Sequence, residues 1–154
     1  MFVHGHTYQG HPAACAGALE VQRIIREEGL VANVAKMGTL LSTLLRSTLG
    51  DHPNVGDIRG RGLFWGIEFV AEKKTNTPFP SEAHVAMEIS ELGMAKEYSI
   101  AVYPGTGTAE DGIGGDHIII APPYNVNEAG IRVIVSIVGK LVNDYFSRIS
   151  QGSK

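Results

Sequence analysis

The sequence predicts an α+β domain in which an antiparallel sheet packs with helices, and three features carry that expectation. Apolar residues recur at helical spacing in four separate stretches. Two strand-like runs are parted only by Gly60-Arg61-Gly62, a break that suits a hairpin turn or bulge and so an antiparallel pair. Two further apolar runs follow a third helical stretch, giving the order helix, helix, strand, strand, helix, strand, strand, helix, with no internal repeat.

The first helix is expected over 12–28. Pro12 suits a first helical position, because its missing N–H has no intrahelical partner there and its φ is already helical. Cys15, Ala18, Leu19, Gln22 and Ile25 lie largely on one side, and the small residues Ala13 to Ala18 allow close approach of a neighbouring backbone. Cys15 reads as a small buried apolar residue. Gly29 ends this helix, and a second follows over 30–49 with Val31, Val34, Leu41, Leu45 and Leu49 on a shared face. Strands are expected over 55–59 and 63–70, then a solvated loop through Glu72-Lys73-Lys74 to Pro80. Ser81 and Glu82 offer a helix start, and Val85, Ile89 and Leu92 mark the buried stripe of a helix reaching about residue 96. Residues 99–103 read as a strand, 104–115 as a glycine-rich loop and 118–121 as a short apolar strand closed by Pro122-Pro123. Asn127 is a natural N-cap for the last helix, whose stripe runs Ile131, Ile134, Val135, Val138, Leu141, Val142, Tyr145, Phe146 and Ile149.

Composition bounds the function classes. The 154 residues, 44% hydrophobic and 19% charged with a net charge of −3, are ordinary for a soluble globular domain. No basic run is present, so neither nucleic acid nor an anionic membrane surface is an expected partner. One cysteine cannot form an internal disulfide, and no stretch reaches the roughly 18 apolar residues of a membrane span. The expected setting is intracellular and cytoplasmic.

The opening stretch, His4-Gly5-His6-Thr7-Tyr8-Gln9-Gly10-His11-Pro12 followed by an alanine-rich helix, closely resembles the segment that class III aminotransferases, which use pyridoxal 5'-phosphate (PLP), carry after their catalytic lysine. Further landmarks fall in the same order: Val55-Gly56-Asp57-Ile58-Arg59-Gly60-Arg61-Gly62-Leu63, Trp65-Gly66-Ile67-Glu68, and Gly115-Asp116-His117 before Ala121-Pro122-Pro123. The resemblance implies the C-terminal small domain of a fold type I PLP-dependent transferase, preceded by an inter-domain helix. It divides the chain into the end of the large domain and the connecting helix (1–29), the small domain (30–150) and a tail (151–154). It also implies a homodimer in which Thr7 hydrogen-bonds the cofactor phosphate of the neighbouring subunit, as a compact hydroxyl donor can. The substrates implied are an amine or amino acid and a 2-oxo acid.

PLP chemistry needs a lysine that carries the cofactor and moves the substrate Cα proton, and a carboxylate that keeps the pyridine nitrogen protonated. The resemblance places both before Thr7, in a large domain that this chain lacks, so no catalytic residue is assigned. Lys36, Lys73, Lys74, Lys96, Lys140 and Lys154 all read as solvated surface lysines. The arginine that amine:pyruvate-type members carry shortly before Gly-Asp-His is missing from Glu110-Asp111-Gly112-Ile113-Gly114, and where ornithine-type members carry one before Pro-Pro this chain has Ile119. Arg59 and Arg61 remain as candidates for a substrate carboxylate, against their reading as charged residues at a turn. The glycine-rich stretch resembles a phosphate loop only in composition. His4, His6 and His11 lack a ligand cluster at metal spacing, so no metal is expected. The chain alone is expected to be inactive. The alternative is a non-catalytic dimerisation or regulatory module that keeps this fold.

Overall fold

The computed structural model describes residues 4–107, 109, 112 and 114–152. Four helices, α1 (Pro12–Glu27), α2 (Leu30–Leu49), α3 (Val85–Gly93) and α4 (Glu128–Gly152), accompany five strands, β1 (Val55–Arg61), β2 (Phe64–Glu72), β3 (Thr77–Pro78), β4 (Tyr103–Gly105) and β5 (Asp116–Ile120). The sheet runs β1-β2-β5-β4 with every neighbour antiparallel, and β3 pairs the far end of β2. The α+β expectation holds.

Strand alternation sorts the sheet into two faces. Ile58, Trp65, Ile67, Phe69, Ile118 and Ile120 point inward and are buried, whereas Arg59, Phe64, Glu68, His117 and Ile119 lie on the other face. The inner face is closed by α2, α3 and α4, which bring Leu41, Leu45, Leu49, Ile89, Ile131, Val138, Leu141 and Val142 into one core. Phe146 is its aromatic hub, with ring centroids 5.7 Å from Phe69, 5.8 Å from Phe79 and 5.1 Å from Tyr145. The stripes expected on α2 and α4 are largely the buried ones, except that Val31 is 69% and Ile149 37% exposed, with Val34 and Ile134 half-buried. Asn127 caps α4 as expected, its Oδ1 accepting the Gly130 N–H at 2.9 Å.

Three local expectations need correction. The helix expected over 81–96 is a 3₁₀ turn, Ser81–Ala83, then His84 at φ +47°, then α3. It stops at Gly93 because the chain reverses there, with the Ile100 N–H donating to the Gly93 carbonyl at 2.9 Å. Strand β4 lies later than the run 99–103, since the Val102 carbonyl accepts the Ser90 hydroxyl of α3 at 2.9 Å and residues 99–102 serve that helix instead. The hairpin turn falls at Gly62-Leu63, so Gly60 and Arg61 belong to β1.

The first helix behaves differently from the rest. No residue of α1 is buried, and it leaves α2 through Gly29, whose left-handed φ of +61° breaks the helical path. Cys15 is exposed, not buried as its alanine-rich setting suggests, because no element among the described residues covers the first turns of α1. We expect the Cys15 thiol to react with a disulfide reagent as fast in native buffer as in denaturant; protection in native buffer at low protein concentration contradicts this placement.

Candidate functional site

The opening segment folds as two successive turns. The Gln9 N–H donates to the His6 carbonyl at 3.0 Å and the His11 N–H to the Tyr8 carbonyl at 3.1 Å, with Gly10 at φ +78° between them. Pro12 then starts α1, as its fixed φ favours. Thr7 sits on the first turn, exposed to solvent, and among the described residues its hydroxyl has no partner. Tyr8 is 76% exposed beside it. The segment thus presents a hydroxyl outward from a turn braced by its own backbone, a geometry suited to a phosphate oxygen brought by another molecule.

His4 and His6 meet edge to face with centroids 6.2 Å apart, and among the described residues no group of three His, Cys, Asp or Glu side chains could hold an ion.

None of the described lysines has the setting of a cofactor-bearing one, which needs a depressed pKa in a sheltered pocket. Lys36 pairs with Glu128 at 2.9 Å, and Lys74 and Lys96 are exposed. Lys140 pairs with Asp144 at 2.7 Å and with Glu97, which push its pKa up, the wrong direction for a nucleophile. Lys73 departs from the expected solvated reading: its ammonium donates to the carbonyls of Gly50, at 2.5 Å, and His52, at 3.1 Å, closing the C-terminal end of α2. Burial, reinforced by this ammonium, holds the His52 imidazole below its ordinary range. Lys154 lies outside the described residues.

The two arginines separate. Arg59 is engaged on the outer sheet face by Glu68 and, at 3.0 Å, by Asp57, and these carboxylates raise its pKa further. Its fork is therefore occupied. Arg61 has no ion pair among the described residues and borders an open groove of about 570 Å³ between α2 and the hairpin, lined also by Val34, Ala35, Gly38, Gly62 and Trp65. Ile119 lies on the outer face beside Phe64, Gly66 and Arg59, lining a second cleft of about 350 Å³. Of the described residues of the glycine-rich stretch, the Ala109 N–H donates to the Gly114 carbonyl at 3.0 Å, and Gly115 leads into β5 instead of a helix, unlike a phosphate loop. Glu110, Asp111 and Ile113 lie outside the described residues.

The sequence comparison decides the family, since the profile described as "Aminotransferase class-III" matches residues 2–142. The chain belongs to the class III aminotransferases. Among curated relatives, an aminotransferase of Gibberella zeae is 54% identical over 142 residues, covering 92% of this chain and 27% of that protein. An uncharacterised aminotransferase of Schizosaccharomyces pombe is 47% identical over 136 residues, covering 88% and 29%. A gamma aminobutyrate transaminase of Solanum lycopersicum is 34% identical, covering 98% and 30%. The fold agrees: a transaminase from the marine bacterium Virgibacillus superposes with a TM-score of 0.82 at 30% identity, covering 97% of this chain and 32% of that one. The chain thus spans under a third of the length of these relatives and corresponds to a C-terminal portion of the family's fold. Among the described residues no helix is long and apolar enough to cross a membrane.

The sequence singles out Thr7 by its motif and the lysines by residue type, but it misses two positioning groups. The carbonyl cap made by Lys73 had no signal in a charged loop. The role of Asp116 needs a contact across 30 positions, which periodicity does not report.

Proposed function

We propose that this chain contributes the end of the large domain with the connecting helix (1–29) and the small domain (30–150) of a dimeric PLP-dependent transaminase, with Thr7 donating a hydrogen bond to the cofactor phosphate held by a neighbouring subunit. One observation carries the reading: in a chain of this family, Thr7 stands on an exposed turn ahead of a helix none of whose residues is fully buried among the described ones. When bound, PLP supplies the electron sink that lets an amino group pass from an amine or amino acid to a 2-oxo acid. The residues here fit one part of that group, its phosphate. Thr7 binds and orients, and no described lysine is placed to move a proton.

Magnitudes separate the part from the whole. Thr7 supplies one or two hydrogen bonds, worth about 1.5–3 kcal/mol each to a charged group, whereas submicromolar binding needs more than about 8 kcal/mol. The chain by itself is expected to hold PLP weakly. After incubation with PLP and reduction by borohydride, mass spectrometry should find only scattered, low labelling of exposed lysines. Stoichiometric labelling at one lysine, with amine-dependent formation of the pyridoxamine form, overturns the reading. Activity restored by adding a relative's large domain and lost again in Thr7→Ala supports the cross-subunit contact.

A further inference from the structure

We propose that Gly115-Asp116-His117 is a two-sided clasp, in which Asp116 is a positioning residue that caps α3 from across the fold while His117 grips β4 on the opposite face. This goes beyond the proposed function and does not depend on it.

The inward half starts from a helix without its own cap. The first N–H groups of α3 need acceptors, yet its N-cap residue, His84, is held at φ +47° and supplies no side-chain hydrogen bond. Asp116 supplies it instead. Its Oδ1 accepts the Ala86 N–H at 2.9 Å, and the residue is only 3% exposed. A buried carboxylate is costly unless hydrogen-bonded and compensated, and no cation pairs with it among the described residues. The positive end of α3 provides that compensation. The nearby Tyr145 hydroxyl is committed elsewhere, to Glu88 at 2.8 Å.

The outward half follows from alternation along β5, which turns His117 to the other face. His117 pairs with Gly105 across β4 and β5. Its ring lies so close over the Gly105 backbone that a Cβ there would fall 2.5 Å from Cε1. A Cβ at this position would have to push the ring aside. Gly115, at φ +92°, makes the turn that allows consecutive side chains to take up these two tasks. The ladder between β4 and β5 has only three residue pairs, so the two side chains add to a short attachment there, beside the Ser90–Val102 bond and the buried Val85 and Ile89 of α3.

Amide hydrogen exchange, followed by NMR on the 154-residue chain, tests both halves. In Asp116→Ala the Ala86 amide should exchange at least about tenfold faster than the global change read at Ile67 accounts for, the loss of a charge-assisted hydrogen bond. Asp116→Asn keeps an acceptor oxygen in place and should restore most of the protection. An Ala86 change no larger than that at Ile67, or an Asn variant that behaves as the alanine one, overturns the cap. If Asp116→Ala fails to fold, the Asn variant decides alone: retained protection at Ala86 supports the cap, and its loss with the sheet intact overturns it. Gly105→Ala should shift the His117 ring resonances while leaving Ala86 protected, and unmoved His117 resonances overturn the outward grip.

Discussion

Phe69→Ala is expected to lower the free energy of unfolding by about 3–5 kcal/mol, the usual cost of emptying a large aromatic site in a core. Phe69 is fully buried on the middle strand β2, opposite Val55 on one side and Asp116 on the other. Its ring meets Phe146, which also touches His52, Phe79 and Tyr145, so the cavity opens where sheet, α4 and the chain before α3 converge. Those rings are held by contacts of their own and cannot all collapse into the space. Domains of this size have about 5–15 kcal/mol in total, so a large part of the stability goes. Urea unfolding followed by circular dichroism reads the loss, and a change below about 1 kcal/mol contradicts this account of the core.

The second large effect is expected from Gly38→Ala, though it adds one methyl group. A Cβ at Gly38 would lie 2.6 Å from the carbonyl carbon and 2.7 Å from the Cα of Gly62, backbone atoms of the hairpin turn that have no rotamer in which to yield. Helix and turn must part, at about 1–3 kcal/mol or more. The chain's single tryptophan reports on that seam, because Trp65 Nε1 donates to the Gly62 carbonyl at 2.7 Å. Its emission should move to the red as water reaches the ring. Gly17→Ala is the matched control, since nothing lies within 4 Å of a Cβ there. In mid-helix that change should be neutral or stabilising by up to about 1 kcal/mol. Equal losses from both substitutions would count against the close approach of α2 to the hairpin.

Where side-chain period alone determines structure, the sequence was readable. The stripes of α2 and α4 and the alternation of β2 were legible because each residue's environment repeats over 3.6 or 2 positions. What escaped depends on partners remote in sequence. The start of α3 is set by Asp116, thirty positions on, and the late start of β4 by a hydroxyl on α3. Cys15 was misjudged for a related reason: small residues signal close packing but not which molecule supplies the neighbour. At the candidate site, Thr7 was identified by its motif, and its exposure fits the expected role. The unsuitability of Arg59 became clear only once the strand register put Glu68 within its reach.

The left-handed joint at Gly29 makes α1 a lever. The helix is 16 residues long, or about 24 Å at 1.5 Å per residue, with Thr7 beyond its far end. A 10° swing about the joint carries that end through about 4 Å, more than the whole span of a hydrogen bond. For the phosphate contact proposed above, which tolerates only a fraction of an ångström, the fold of residues 30–150 would therefore not aim the Thr7 hydroxyl; whatever holds the outer turns of α1 would.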